Sequence, residues 1–259
     1  MKIVLYILIL FLTFTSIAQQ YNIKLLNEQP LDADTFVGVD DFSALYYIKN
    51  NTIFKKSETN TYQFSSLQLG TIASVDIVNP LKISVFYRDS NTTIILDNTL
   101  NEITRIDFSN IDNFRNISHA RTAGDRQLWV FNTDLQQLEV YDWNQNKIIT
   151  QFPPQEHNAT TMTSNFNFAW VVEKDEISQY NIYGSFVKKI TIETPNKISQ
   201  SRGDLIFVTQ KGIFYKEEKT SQFTELFLPD LHHKDSFLNN EILYIYDGQK
   251  LTTFELSKS

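Results

Sequence analysis

Apolar and polar residues alternate along almost the whole chain, in short blocks of four to seven residues. Almost no stretch has apolar residues at the 3.6-residue spacing of an amphipathic helix, whereas a period of two is typical of half-buried strands. Thr, Tyr, Phe, Ile and Val fill the blocks, and these residues favour strands. Turn residues separate the blocks at intervals of about ten residues, so the pattern predicts an all-β sandwich, barrel or propeller.

The most apolar block recurs six times, with starts that lie 38, 46, 40, 37 and 37 residues apart. A turn and a second strand follow each block, and a third, more amphipathic strand follows in the first five units. A period of about 40 residues with four strands per unit is the signature of a β-propeller. We therefore predict six blades, with apolar blocks at residues 44–48, 82–86, 128–131, 168–172, 205–208 and 242–245.

The sixth unit lacks its last strand, because the sequence stops at Ser259 shortly after the block at 251–256. Residues 21–26 resemble the outer strands of the other units and precede the first complete one. An open ring would leave unpaired strand edges and an uncovered apolar blade face. We predict that residues 21–26 pair beside residues 251–256, so that the N-terminal strand completes the last blade of a six-bladed β-propeller.

The first 18 residues have the features of a signal peptide. Lys2 precedes an apolar run over residues 3–12, which is shorter than the roughly 20 residues that span a bilayer. We expect cleavage after Ala18, a single domain over residues 19–259, and a periplasmic or secreted location. The chain has no Cys, so a lipid-anchored lipoprotein, a disulfide and a thiolate metal site are all excluded.

The net charge of −7 becomes −7 − 1 = −8 when residues 1–18, whose only charge is Lys2, are removed. An acidic protein is repelled by nucleic acid and by anionic membrane surfaces. We therefore expect no nucleic acid partner and no stable membrane insertion after signal cleavage. Other envelope proteins are the expected partners.

Two segments carry a resemblance to a known superfamily. Residues 138–149, Leu-Glu-Val-Tyr-Asp-Trp-Asn-Gln-Asn-Lys-Ile-Ile, are echoed by residues 177–187, Ile-Ser-Gln-Tyr-Asn-Ile-Tyr-Gly-Ser-Phe-Val. Both resemble the third strand, turn and fourth strand of WD40-like β-propeller repeats, although the Gly-His dipeptide and regular Trp-Asp ending of WD40 repeats are absent. Exported bacterial propellers of this kind include subunits of outer-membrane assembly and secretion machines, type 9 secretion among them, so the resemblance implies protein docking.

Charged side chains that would face the central channel are the candidate binding residues. His119 and Arg121 alternate on a predicted innermost strand, where both could hold an anionic group. A structural polar lining is the alternative for this pair. The other candidates for the channel are Asp40, Asp41, Asp76 and Arg202. The candidates for contact with a partner are the loop aromatics Phe114, Trp143 and Tyr183.

No catalytic, cofactor or metal motif is present in the sequence. The pair His232-His233 lies between two Asp residues, but adjacent residues of an extended strand point to opposite faces, so we expect no metal there. Nucleophile motifs, phosphate loops and dinucleotide fingerprints are absent. The first hypothesis is a non-enzymatic docking subunit of an envelope assembly. The alternative is a glycan-binding or glycan-cleaving propeller.

Overall fold

The computed structural model describes residues 21–193, 195–228 and 233–258. Over these residues the chain forms 24 strands, and no helix is long and apolar enough to cross a membrane. The strands form six four-stranded antiparallel sheets arranged as the blades of a ring. The all-β, six-bladed propeller predicted from the repeat is confirmed. The predicted signal peptide lies outside the described residues and remains a prediction.

The strands follow one another around the ring in chain order. The first, β1 (Tyr21–Pro30), belongs to the last blade. Blade 1 contains β2 (Thr35–Val39), β3 (Leu45–Lys49), β4 (Thr52–Lys56) and β5 (Thr61–Phe64). Blade 2 contains β6 (Ser74–Asp76), β7 (Ile83–Tyr87), β8 (Thr92–Leu96) and β9 (Glu102–Asp107). Blade 3 contains β10 (Ile117–Thr122), β11 (Gln127–Asn132), β12 (Gln137–Asp142) and β13 (Lys147–Gln151).

The second half of the ring repeats this order. Blade 4 contains β14 (Thr161–Ser164), β15 (Phe168–Glu173), β16 (Glu176–Asn181) and β17 (Phe186–Thr191). Blade 5 contains β18 (Lys197–Ser201), β19 (Asp204–Val208), β20 (Ile213–Lys216) and β21 (Thr224–Leu226). Blade 6 contains β22 (Asp235–Asn239), β23 (Ile242–Tyr246) and β24 (Lys250–Lys258), with β1 as its outermost strand.

The N-terminal strand closes the ring in the way that the sequence predicts. β1 runs antiparallel to β24, from Tyr21 opposite Lys258 to Pro30 opposite Lys250. The chain then passes from β1 to β2 under the side chain of Tyr246, whose hydroxyl donates to the Ala33 carbonyl at 2.7 Å. Asp235 accepts a hydrogen bond from the Phe36 amide at 3.0 Å. Blades 6 and 1 are therefore joined both at the rim and beside the channel.

The hydrophobic core lies between neighbouring blades. All five residues of β7 and all five of β8 are buried, whereas exposed and half-buried residues alternate along the outer strand β13. Trp129 and Trp170 are fully buried, each in a cluster that combines residues of two adjacent blades. A single blade therefore has no complete core of its own, and the ring is the unit that buries apolar surface.

Asn residues make several of the turns that this glycine-poor chain needs. Asn50, Asn51 and Asn240 have positive φ angles of 48°, 57° and 54°, a region that Asn tolerates better than most residues. Asp97 serves a turn in a different way. Its carboxylate accepts the backbone amides of residues 99 and 101, and Leu100 takes the left-handed conformation in that turn.

Candidate functional site

The six inner strands surround a central channel and run in the same direction along it. Lys197 and Asp235, the first residues of β18 and β22, form an ion pair. Asn239, the last residue of β22, donates to the carbonyl of Val39, the last residue of β2, at 3.1 Å. We call the side of the ring where the inner strands begin the start face, and the side where they end the end face.

The channel has a volume of about 780 Å³ and brings together all six charged residues that the sequence predicts to face it. These are Asp40, Asp41, Asp76, His119, Arg121 and Arg202. Trp143, one of the predicted loop aromatics, lies elsewhere. It follows β12 and is partly buried against the cluster between blades 2 and 3, beside Ile111 and Ile148. Whether any of these residues binds a ligand remains a prediction.

Three carboxylates of the channel wall are bonded to protein donors, and two of them join neighbouring blades. Asp76 accepts the amides of Val78 at 2.9 Å and Thr122 at 3.0 Å, and the second bond joins blade 2 to blade 3. Burial raises the pKa of Asp76, and the nearby charge of Arg121 opposes this rise. Asp235 also joins blades, since it accepts the Phe36 amide of blade 1 and pairs with Lys197 of blade 5. Asp40 bonds only within blade 1, to the amides of Phe42 and Ala44 and the hydroxyl of Tyr46.

His119 and Arg121 lie on β10, as the alternation in the sequence predicts. Arg121 donates from Nε to the Met162 carbonyl at 3.1 Å and from Nη1 to the Val75 carbonyl at 3.2 Å, so it joins blade 3 to both neighbours. Burial, together with the positive charges of Arg88 and Arg121, lowers the pKa of His119 to about 4. The imidazole is therefore neutral at pH 7, with Nδ1 at 2.9 Å from the Ser118 hydroxyl.

Three exposed apolar side chains stand at the end face, on the turns that join the first two strands of blades 1, 2 and 4. Phe42 is 74% exposed, Leu81 60% and Phe166 39%. A polar side chain braces each turn: Asp40 accepts the Phe42 amide, Asn79 accepts the Leu81 amide, and Asn165 accepts the amides of residues 167 and 168. We call Phe42, Leu81 and Phe166 the end-face tips.

The sequence reasoning missed the end-face tips. Each is a single apolar residue inside a polar turn, which has no periodicity to detect. A signal was nevertheless available, because an Asp or Asn lies one or two residues before each tip and favours a tight turn. Of the loop aromatics that the sequence did single out, Phe114 and Tyr183 are exposed, whereas Trp143 is half-buried.

The start face carries cations around the mouth of the channel. Arg88 lies just beyond β7 on this side, since Phe86 pairs with Ser74 at the beginning of β6. Its Nε donates to the Ser118 carbonyl at 3.2 Å. Lys197 and Lys234 lie across the channel, at the beginning of β18 and just before β22.

Metal-binding groups of three or more His, Cys, Asp or Glu residues do not occur within the described part of the chain. His233 is described, whereas His232, the other member of the predicted pair, lies outside the described residues. The expectation that this pair holds no metal therefore stays a prediction.

Comparison with known proteins identifies the fold and nothing narrower. No family model matches the chain, and no curated protein matches it. The β-propeller domain of Cps50 (Swd1) from Myceliophteria thermophila superposes with a TM-score of 0.64 at 10% identity, over 91% of this chain and 100% of that one. The chain has the six-bladed β-propeller fold that the repeat and the resemblance indicated.

Two further solved structures of this fold have different roles. BBS1N in complex with ARL6DN has a TM-score of 0.58 at 13% identity, over 86% of this chain and 78% of that one. A catalytically inactive virginiamycin B lyase from Staphylococcus aureus with quinupristin has a TM-score of 0.60 at 13% identity, over 92% of this chain and 100% of that one. Because one is a protein complex and the other a lyase, the fold does not decide between docking and catalysis.

Proposed function

We propose that this chain is a docking propeller, which binds a protein partner through the end-face tips. The observation that carries the proposal is that Phe42, Leu81 and Phe166 are exposed while their turns are braced by hydrogen bonds. An exposed apolar side chain contributes little to the free energy of folding. Because the turn that carries it is already braced, its backbone loses little conformational entropy when a partner covers the side chain. Large apolar anchors near the centre of an interface carry most of its binding energy.

The position of the tips around the channel mouth suits this role. They project from three different blades, so a partner that covers all three also covers the mouth between them. Stable interfaces bury about 800 Å² on each partner, an area of the scale that one face of a small ring offers. Proteins with this fold occur in complexes, as BBS1N with ARL6DN does.

The finer proposal is that the partner belongs to a bacterial envelope assembly or to a secretion machine of the type 9 kind. It rests on the predicted signal peptide and on the resemblance to exported propellers. Detection of a mature N-terminus at Gln19 in a periplasmic fraction would support it. A protein that keeps residues 1–18 and stays in the cytoplasm would contradict it.

The glycan-cleaving alternative has less support from the channel. Such chemistry needs two carboxylates about 5 to 9 Å apart that are available to a sugar. Asp40, Asp76 and Asp235 are instead occupied by bonds that hold turns and blades. Because a lyase has the same fold, an activity assay is the test of this alternative.

The docking proposal is tested by affinity purification from envelopes with the mature protein as bait. The variant Phe42→Ser, Leu81→Ser, Phe166→Ser should lose a co-purifying protein that the wild type retains. The matched control is Leu67→Ser, Leu135→Ser, Phe227→Ser, which removes three exposed apolar residues from the loops of the start face. Equal recovery of every partner by the wild type and the end-face variant would overturn the proposal.

A further inference from the structure

The charges that line the channel do not balance at the start face. The carboxylates of Asp76 and Asp235 are bonded to protein donors, and Asp41, which has no such bond in the described structure, lies at the end face. On the start face, Lys197 is paired with Asp235. Arg88 and Lys234 have no carboxylate partner among the described residues. A protein with a net charge of −7 therefore has a locally cationic channel mouth.

Two guanidinium groups near His119, those of Arg88 and Arg121, have N–H donors that are not used in bonds to described protein atoms. Arg88 uses only Nε and Arg121 only Nε and Nη1 in bonds to described protein atoms, so three terminal nitrogens remain for other acceptors. Both charges act on His119, whose low pKa is partly due to them. The imidazole thus lies in a positive electrostatic potential, which an anion would reduce.

The remaining wall of the channel is polar and can hydrogen-bond to a hydroxylated body. Hydroxyls and amides line it, namely Thr35, Ser74, Ser118, Thr161, Asn196 and Ser236.

We infer that the channel around His119 binds a small organic anion, in which a carboxylate or phosphate contacts Arg88 and Arg121 and a hydroxylated body contacts the polar wall. Acidic sugars and sugar phosphates have this chemistry. Guanidinium groups bind both anions through paired N–H donors. The whole channel, of about 780 Å³, has a volume in the range of small-molecule sites.

This site is separate from the docking surface, so the two proposals can fail independently. The end-face tips lie where the inner strands end, and Arg88 lies where they begin. The end-face triple variant should bind the anion normally. A variant of Arg88 should retain the protein partner.

The test measures binding of glucuronate, glucose 6-phosphate and glucose to the mature protein by calorimetry, and the pKa of His119 by NMR. At least one of the two anions should bind, with glucose at least about tenfold weaker, since loss of a charge-assisted contact costs that much affinity. Binding should raise the pKa of His119. The tighter of the two anions tells whether the site prefers a carboxylate or a phosphate.

Substitutions at Arg88 test whether the anion binds at this site. Arg88→Met should weaken anion binding by at least about tenfold, and Arg88→Lys should restore part of it. Arg126→Met, which removes an exposed arginine from the end face, is the matched control and should bind as the wild type does. The inference is overturned if neither anion binds, if Arg88→Met binds normally, or if the pKa of His119 stays the same on binding.

Discussion

The wall of the channel and its end-face mouth both contain charged residues, but these residues have different roles. In the wall, Asp76 and Asp235 each receive a backbone amide from the next blade, so their charge is used to hold the ring. At the end-face mouth, Asp41 and Arg202 line the channel without a hydrogen bond or ion pair to any described residue. A charged residue that lines a channel is thus a binding candidate only if the fold leaves its polar atoms free.

The largest expected effect is on the wall. Asp76→Ala leaves the buried amide of Thr122 and the half-buried amide of Val78 without an acceptor, so we expect a loss of about 3 kcal/mol in the free energy of unfolding. Asp41→Ala, at the end-face mouth, should change it by less than about 0.5 kcal/mol. Urea unfolding of both variants measures the difference. Similar losses for the two would break the distinction between wall and mouth.

A second, smaller effect concerns pH. The pKa of His119 is about 4 in the folded protein and 6.5 in the unfolded chain, so the unfolded state binds more protons between these values. Stability should fall as the pH falls from 6.5 to 4, by on the order of 2 to 3 kcal/mol from this residue. His119→Gln removes the effect, and the difference between wild type and variant isolates it from other groups. Parallel stability curves for the two proteins would show that His119 is not shielded in the wall.

The smallest effect is expected at an end-face tip. Phe42 is 74% exposed, so Phe42→Ser should change the free energy of unfolding by no more than about 0.5 kcal/mol. Phe36, which is buried at the seam between blades 6 and 1, is the comparison, and Phe36→Ser should cost several-fold more. Thermal unfolding of the pair separates them. A large loss for Phe42→Ser would mean that the tip supports its own turn and is not held ready for a partner.

The sequence was sufficient to predict the closed ring of blades, but not the hydrogen bonds between its side chains and backbone. Repeats and the missing outer strand were sufficient to predict six blades and the pairing of β1 with β24, because strand periodicity is a local property. The placement of His119 and Arg121 on one inner strand followed from alternation. The bonds of Asp76 and Asp40 could not be predicted, since their donors depend on how blades and turns approach each other.

Trp143 shows the same limit for apolar residues. It follows a strand and precedes a turn, which in the sequence favours an exposed loop position. In the folded ring the neighbouring blade covers it, beside Ile111 of the preceding connection. Phe42, in a comparable turn, has no neighbour to cover it. Exposure of a turn residue is decided by the adjacent blade, which sequence patterns do not report.

The pairing of β1 with β24 also governs when the protein can finish folding. These strands are the first and last of the described chain, and Tyr21 pairs with Lys258 across almost its whole length. Contacts between such distant residues form slowly, because a very long loop must close first. Five blades have all four strands in consecutive order, but the sixth can be completed only after β24 has been synthesised. Until then both edges of the growing ring are open to other chains, so the time between making the first strand and the last is the period of greatest risk of aggregation.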